Sequence, residues 1–246
     1  MARPLSANNP YAVPAAEAKV EERVAFLRKV AGLTFVGLMI SGATSLATAG
    51  LIAVLSEIMM SRPVSLVLML GGIFGARMIG GSMVRSETPA TQYAGFAIGT
   101  MLQGVAMGYI ILTALMFSAS VLGNPLILLV EAIGLVGLTM FGMTVYLLTG
   151  PKNLSMVGGF LSAVSLPMMV LMVVTFVFPS LFGGFMGLLL NMVFVGISAA
   201  GLLYSLNQVM HEMSTKHVVP AAYFITLGIL TLLWNVITLL MRLQRR

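Results

Sequence analysis

Gly201-Leu202-Leu203-Tyr204-Ser205-Leu206-Asn207-Gln208-Val209-Met210-His211-Glu212 closes the segment that decides how the chain is built. The run leading into it, from about residue 182 to 210, is apolar and long enough to cross about 30 Å of hydrocarbon as a helix. It ends, however, in hydroxyls, amides and an imidazole. A spanning helix that finishes this way places a solvated polar pocket at one end of the membrane. Tyr204, Ser205, Asn207, Gln208 and His211 are therefore candidate site residues.

The rest of the chain agrees with a membrane setting. Of its 246 residues 59% are hydrophobic and 8% charged, with a mean hydropathy of +1.04. A soluble domain of this length could not hide so much apolar surface from water. Charges fall almost wholly between or outside the apolar segments, because each one inside costs about 2.5 to 3.5 kcal/mol on insertion scales. The chain has no aspartate and no cysteine, which excludes a disulfide framework, a thiolate metal site and a cysteine nucleophile. The net charge of +6 is scattered over loops and termini, so no nucleic acid is expected as a partner. The 21 methionines read as gap fillers between helices rather than copper ligands. No P-loop, dinucleotide fingerprint, HExxH or Ser-His-acid arrangement is present, so neither an enzyme nor a cofactor is expected.

Seven apolar segments can be drawn, at about 31–56, 63–84, 92–117, 123–148, 155–178, 182–210 and 219–241. Arg62-Pro63, Arg85 to Pro89, Gly123-Asn124-Pro125, Gly150 to Asn153, Pro179 with Gly183-Gly184, and His211 to Pro220 separate them. Residues 1–14 read as a disordered tail. Ala15 to Lys29 reads as an interfacial helix leading into the membrane, because Val20, Val24, Leu27 and Ala31 recur at helical spacing. The expected organisation is a cytoplasmic tail and interfacial helix over 1–28, then one all-α, seven-transmembrane-helix bundle over 29–246. Arg3, Lys19, Arg23, Arg28, Lys29, Arg85, Lys152 and Lys216 fall on one side, which places the N-terminus in the cytoplasm. Arg242, Arg245 and Arg246 at the other end oppose that topology and would fit a re-entrant last span. Glycine pairs four apart, such as Gly95 with Gly99 and Gly104 with Gly108, mark close helix contacts.

Few ionisable residues lie inside the segments. Arg77 sits two turns from the inner end of the second and Glu131 two turns into the fourth, with Glu57 at the outer edge of the first. Counting along each helix puts Arg77 and Glu131 about 6 Å apart in depth, so they could pair. Arg77 can instead snorkel to the headgroups, whereas Glu131 needs a partner, water or a proton. Histidine as a residue type can change charge near neutral pH, and His211 adjoins Glu212, Lys216 and His217.

These residues resemble the Bax inhibitor-1-like family of small seven-span membrane proteins, including its bacterial members. The match runs from about Phe26 to Leu243. It is carried by Leu203 to His211, which is similar to the family's Tyr-Asp-x-x-Gln signature, with Ala94-Gly95-Phe96-Ala97, Glu131-Ala132, and Lys152-Asn153-Leu154-Ser155 with Gly158-Gly159 in the same order. The resemblance implies six spans around a central seventh, a bacterial inner-membrane location, and a pH-sensitive calcium leak or modulation of a membrane protease such as FtsH. It also implies two aspartates that close the leak. Here the first position is Ser205 and the second falls on Gly228 or Ile229. Arg85 and Arg77 would then lack the carboxylate they might otherwise meet. The seventh segment offers only Thr226, Thr231, Asn235 and Thr238, so calcium or protons would bind weakly at most. Two functions remain: an ion leak or regulatory protein without the di-aspartyl switch, and a non-conducting adaptor or modulator of a protease or other membrane complex. Either would use Arg77, Arg85, Glu131, Tyr204, Ser205, Asn207, Gln208 and His211 as its polar pathway or switch.

Overall fold

Every regular element among the described residues is helical, which is what a chain in lipid requires if its backbone groups are to be satisfied within each segment. The computed structural model describes residues 15, 17–55, 62–149, 154–177 and 184–244. The helices are α1 (Val20–Val54), α2 (Arg62–Gly75), α3 (Pro89–Leu122), α4 (Ile127–Thr149), α5 (Ser155–Val177), α6 (Gly184–His211) and α7 (Val218–Leu243). Between α2 and α3 the chain passes through a π-helical turn, Ala76–Gly80, and a last helical turn, Gly81–Met83.

Five helices, α1, α3, α4, α6 and α7, are long and apolar enough to cross a membrane. The second expected segment is a shorter apolar stretch, Val67–Met83, and α5 carries Pro167 in its interior. Outward-facing side chains such as Phe35, Leu46, Val130, Leu138 and Phe141 are exposed and apolar, as a lipid-facing surface demands. Glu57, Lys152, Asn153 and the tail 1–14 lie outside the described residues.

One boundary differs from the sequence reading. The interfacial helix and the first span form one continuous helix, α1, because no proline interrupts residues 20–54 and glycines alone do not break an apolar helix. The chain entering it is anchored at Ala15, which is buried and donates its N–H to the carbonyl of Met213. The start of α3 is set by Pro89 in its first turn after extended Thr88, and its end by Gly123 at φ 72°.

Small residues set the closest contacts. A Cβ on Gly104 would lie 2.7 Å from the Ser41 carbonyl oxygen, and one on Gly108 would lie 2.6 Å from the Thr48 side chain. Only glycine lets α3 approach α1 so closely, and Ser41 then donates its hydroxyl to the Thr100 carbonyl at 2.7 Å. The last helix, α7, packs against α1, α3, α4 and α6. Its side chains Tyr223, Thr226, Leu232 and Ile237 are buried.

Candidate functional site

Where α6 ends and α7 begins, a cavity of about 1130 Å³ opens. Its walls come from the turn after Met83, the first turn of α3, the last turns of α6, and the α6–α7 connection. Tyr204, Ser205 and Gln208 face it because Gln208 lies three and four positions after the other two, on the same side of the helix, and Arg85 faces them from the turn after Met83. The Arg85 guanidinium lies over the Phe224 ring, 5.5 Å from its centroid. Gln92 holds the mouth by donating to the Ser86 carbonyl at 2.6 Å.

Four of the residues singled out from the sequence, Arg85, Tyr204, Ser205 and Gln208, thus line one cavity. The other four do not. Asn207 is buried on another face of α6, with its side-chain oxygen unpartnered. His211 Nδ1 lies 3.2 Å from the Asn207 carbonyl oxygen, so it closes the helix end. Arg77 belongs to the π-helical turn and reaches to 3.5 Å from Thr231 Oγ1. Glu131 is exposed, and its carboxylate accepts a hydrogen bond from Gln244 at 3.1 Å.

The Arg77–Glu131 pair allowed by depth counting is not formed. Arg77 meets α7 at Thr231 and Glu131 meets it just past its end at Gln244, so about 20 Å of helix axis separates the two contacts. Depth counting placed Glu131 two turns inside, but α4 starts at Ile127, which leaves the carboxylate one turn from the helix end.

Next to the cavity-lining Phe224 the bundle is packed. Tyr223 of α7 is fully buried. Its hydroxyl donates to the Ala76 carbonyl, its ring fills the space left by Gly80 and Gly99, and it meets Phe96 edge-on with centroids 6.2 Å apart. The Ala76 carbonyl also accepts the Gly81 N–H, the pairing characteristic of a π turn. On the α6 side, Leu202 fills the space over Gly228, where a Cβ would come 2.8 Å from the leucine Cδ1. Ser205 donates to the Gly201 carbonyl at 2.9 Å and so closes on its own helix. Among the described residues no three His, Asp or Glu side chains group together.

Tyr223, Gln92 and Phe224 were not singled out from the sequence. A tyrosine within an apolar span was the available signal, since its buried hydroxyl demands an acceptor.

The deciding observation is the match of one family model, described as inhibitor of apoptosis-promoting Bax1, over residues 23–246. The chain belongs to the Bax inhibitor-1 family. No curated protein and no solved structure matches it. In this Bax inhibitor-1 family member, the family signature on α6 forms one wall of the cavity, with Ser205 at the position the resemblance assigned to an aspartate. The second such position falls on Gly228 or Ile229, below the cavity at the Leu202 contact. The membrane setting follows from the family and from the apolar helices together.

Proposed function

We propose that this Bax inhibitor-1 family protein is a seven-span regulatory protein of a bacterial inner membrane, with its N-terminus in the cytoplasm. It acts on a membrane complex, such as a membrane protease, rather than conducting calcium. The observation that supports this reading is the charge of the α6–α7 cavity. Arg85 and Lys216 line it against a single carboxylate, that of Glu87. Calcium takes six to eight oxygen ligands with carboxylates prominent, and a cationic mouth repels it. Deeper in the bundle, Leu202 packs on Gly228 and Tyr223 on Gly99.

The test is flux from liposomes carrying the purified protein and a calcium dye, at several pH values. Flux equal to that of empty vesicles is expected, and protein-dependent flux at any pH would overturn the reading. A pull-down from membranes should recover a protease or other complex, and the same pull-down with residues 1–28 deleted reports whether the tail makes the contact.

A proton or calcium leak is the second reading. It is favoured by the Arg77–Thr231 contact, which puts polar groups deeper in the bundle than the cavity. Dye-reported proton flux that disappears in Arg77→Met would support it.

A further inference from the structure

Two turns into α6, Asn191 is only 7% exposed, and its side-chain Nδ2 is buried without a hydrogen-bond partner in the protein. At about 11 Å from the helix end it lies at hydrocarbon depth, where an unpaired amide is strongly unfavourable. Gly187, Leu188, Asn191, Leu202 and Val209 are all buried, and their spacing places them on one side of α6. That side meets α7, with Leu202 over Gly228.

A second amide faces the same seam. Asn235 of α7 lies two turns beyond Gly228, on the same side of its helix. It is half-buried, and among the described residues its side chain makes no hydrogen bond. The two helices run antiparallel, so the Leu202–Gly228 contact sets their register. Asn191 lies about 16 Å along the seam from that contact and Asn235 about 10 Å. The amides do not bond each other, and the offset of about 6 Å is one that bridging molecules span. Turning either amide over exchanges its oxygen and nitrogen and still leaves a polar atom unpaired.

The surroundings select the occupant. Neither α6 nor α7 contains a carboxylate, and Arg77 reaches Thr231, one turn from Asn235, so a cation is disfavoured. Thr231, Thr238 and Ser198 donate their hydroxyl protons to the Leu227, Trp234 and Val195 carbonyls of their own helices. They therefore offer lone pairs, which disfavour an anion. Two amides, each with a donor and an acceptor, beside hydroxyl lone pairs suit a small neutral molecule that both donates and accepts. Water is such a molecule.

We propose that the α6–α7 seam holds an internal hydration site within the membrane, in which water bridges Asn191 to Asn235. The Leu202–Gly228 contact lies along the seam between this site and the cavity lined by Ser205 and Gln208. This assignment holds whether or not the protein conducts ions.

The test uses the full chain in detergent micelles, 15N-labelled at asparagine. The chain has seven asparagines, so each side-chain amide signal can be assigned by substitution. Magnetisation transfer from water to the Asn191 and Asn235 amide protons is expected, with exposed Asn124 as the positive control. In Asn235→Leu the transfer to Asn191 should weaken, because the shared water has lost a partner. Melting temperature gives a second readout. Replacing a dry, unpaired amide by leucine raises it, whereas replacing a water-bridged one lowers it by about 2–4 °C, since the other amide is left short of a partner. Asn191→Leu and Asn235→Leu are both expected to fall. Should Asn191→Leu fail to fold, Asn191→Gln assigns the signal and Asn235→Leu supplies the melting readout. Absence of transfer from water to Asn191 overturns the proposal, as does a rise in melting temperature for the leucine variants. Transfer to Asn191 that is unchanged in Asn235→Leu overturns the bridge.

Discussion

Tyr223 donates its hydroxyl proton to the carbonyl oxygen of Ala76, and this bond ties the last helix to the π-helical turn of the second segment. Its ring occupies the room that Gly80 and Gly99 leave by lacking side chains. The junction of α7 with the second segment and α3 therefore rests on one tyrosine and two glycines.

Tyr223→Phe keeps the ring and removes the donor. The expected loss is about 1–2 kcal/mol, near the lower end for a buried hydrogen bond because Gly81 still satisfies the Ala76 carbonyl. Thermal unfolding in detergent measures it, and an unchanged melting temperature would show that the hydroxyl contributes nothing.

Gly99→Ala places a methyl group against the Tyr223 ring. Overpacking of this kind should destabilise by about 1–3 kcal/mol. The comparison is Gly134→Ala on α4, where no atom lies within 4 Å of the added Cβ. That change should be neutral or stabilising by up to about 1 kcal/mol, from helix propensity. Equal melting temperatures for the two variants would contradict the packing described.

For Arg77 the hydroxyl of Thr231 is the hydrogen-bonding partner, at 3.5 Å, and no described carboxylate pairs with it. A long neutral side chain should replace it without loss, since an unpaired charge at this depth is itself unfavourable. Arg77→Met is expected to melt at the wild-type temperature or higher. A fall of more than about 2–4 °C, equivalent to about 1 kcal/mol, would assign the guanidinium a structural role.

Glu131→Gln should change stability by no more than about 0.5 kcal/mol, because the group is exposed and the amide can still accept from Gln244. Liposome flux should also be unaffected at every pH. A pH-dependent difference between variant and wild type would return Glu131 to a conduction path.

Much of this was legible in the residues themselves. The apolar run before Gly201 and the polar cluster from Tyr204 to Gln208 announce a spanning helix with a solvated end, since hydrocarbon tolerates no unsatisfied polar groups. Glycine spacing in α3 marked the contact with α1, where Gly104 and Gly108 meet Ser41 and Thr48. Depth counting was less reliable. It allowed Arg77 and Glu131 to pair because it counted the fourth segment from residue 123, whereas α4 begins only at Ile127.

The sequence by itself determined a helical membrane protein of this family, and that its signature carries Ser205 where an aspartate was expected. Hydrophobic transfer and backbone hydrogen bonding act on each segment independently, so one segment at a time can be read. Tertiary structure alone decided that Arg85, Tyr204, Ser205 and Gln208 share a cavity while Arg77 and Glu131 do not. It alone placed Tyr223 against Gly80 and Gly99, because such contacts depend on which helices become neighbours and on how closely their glycines let them approach.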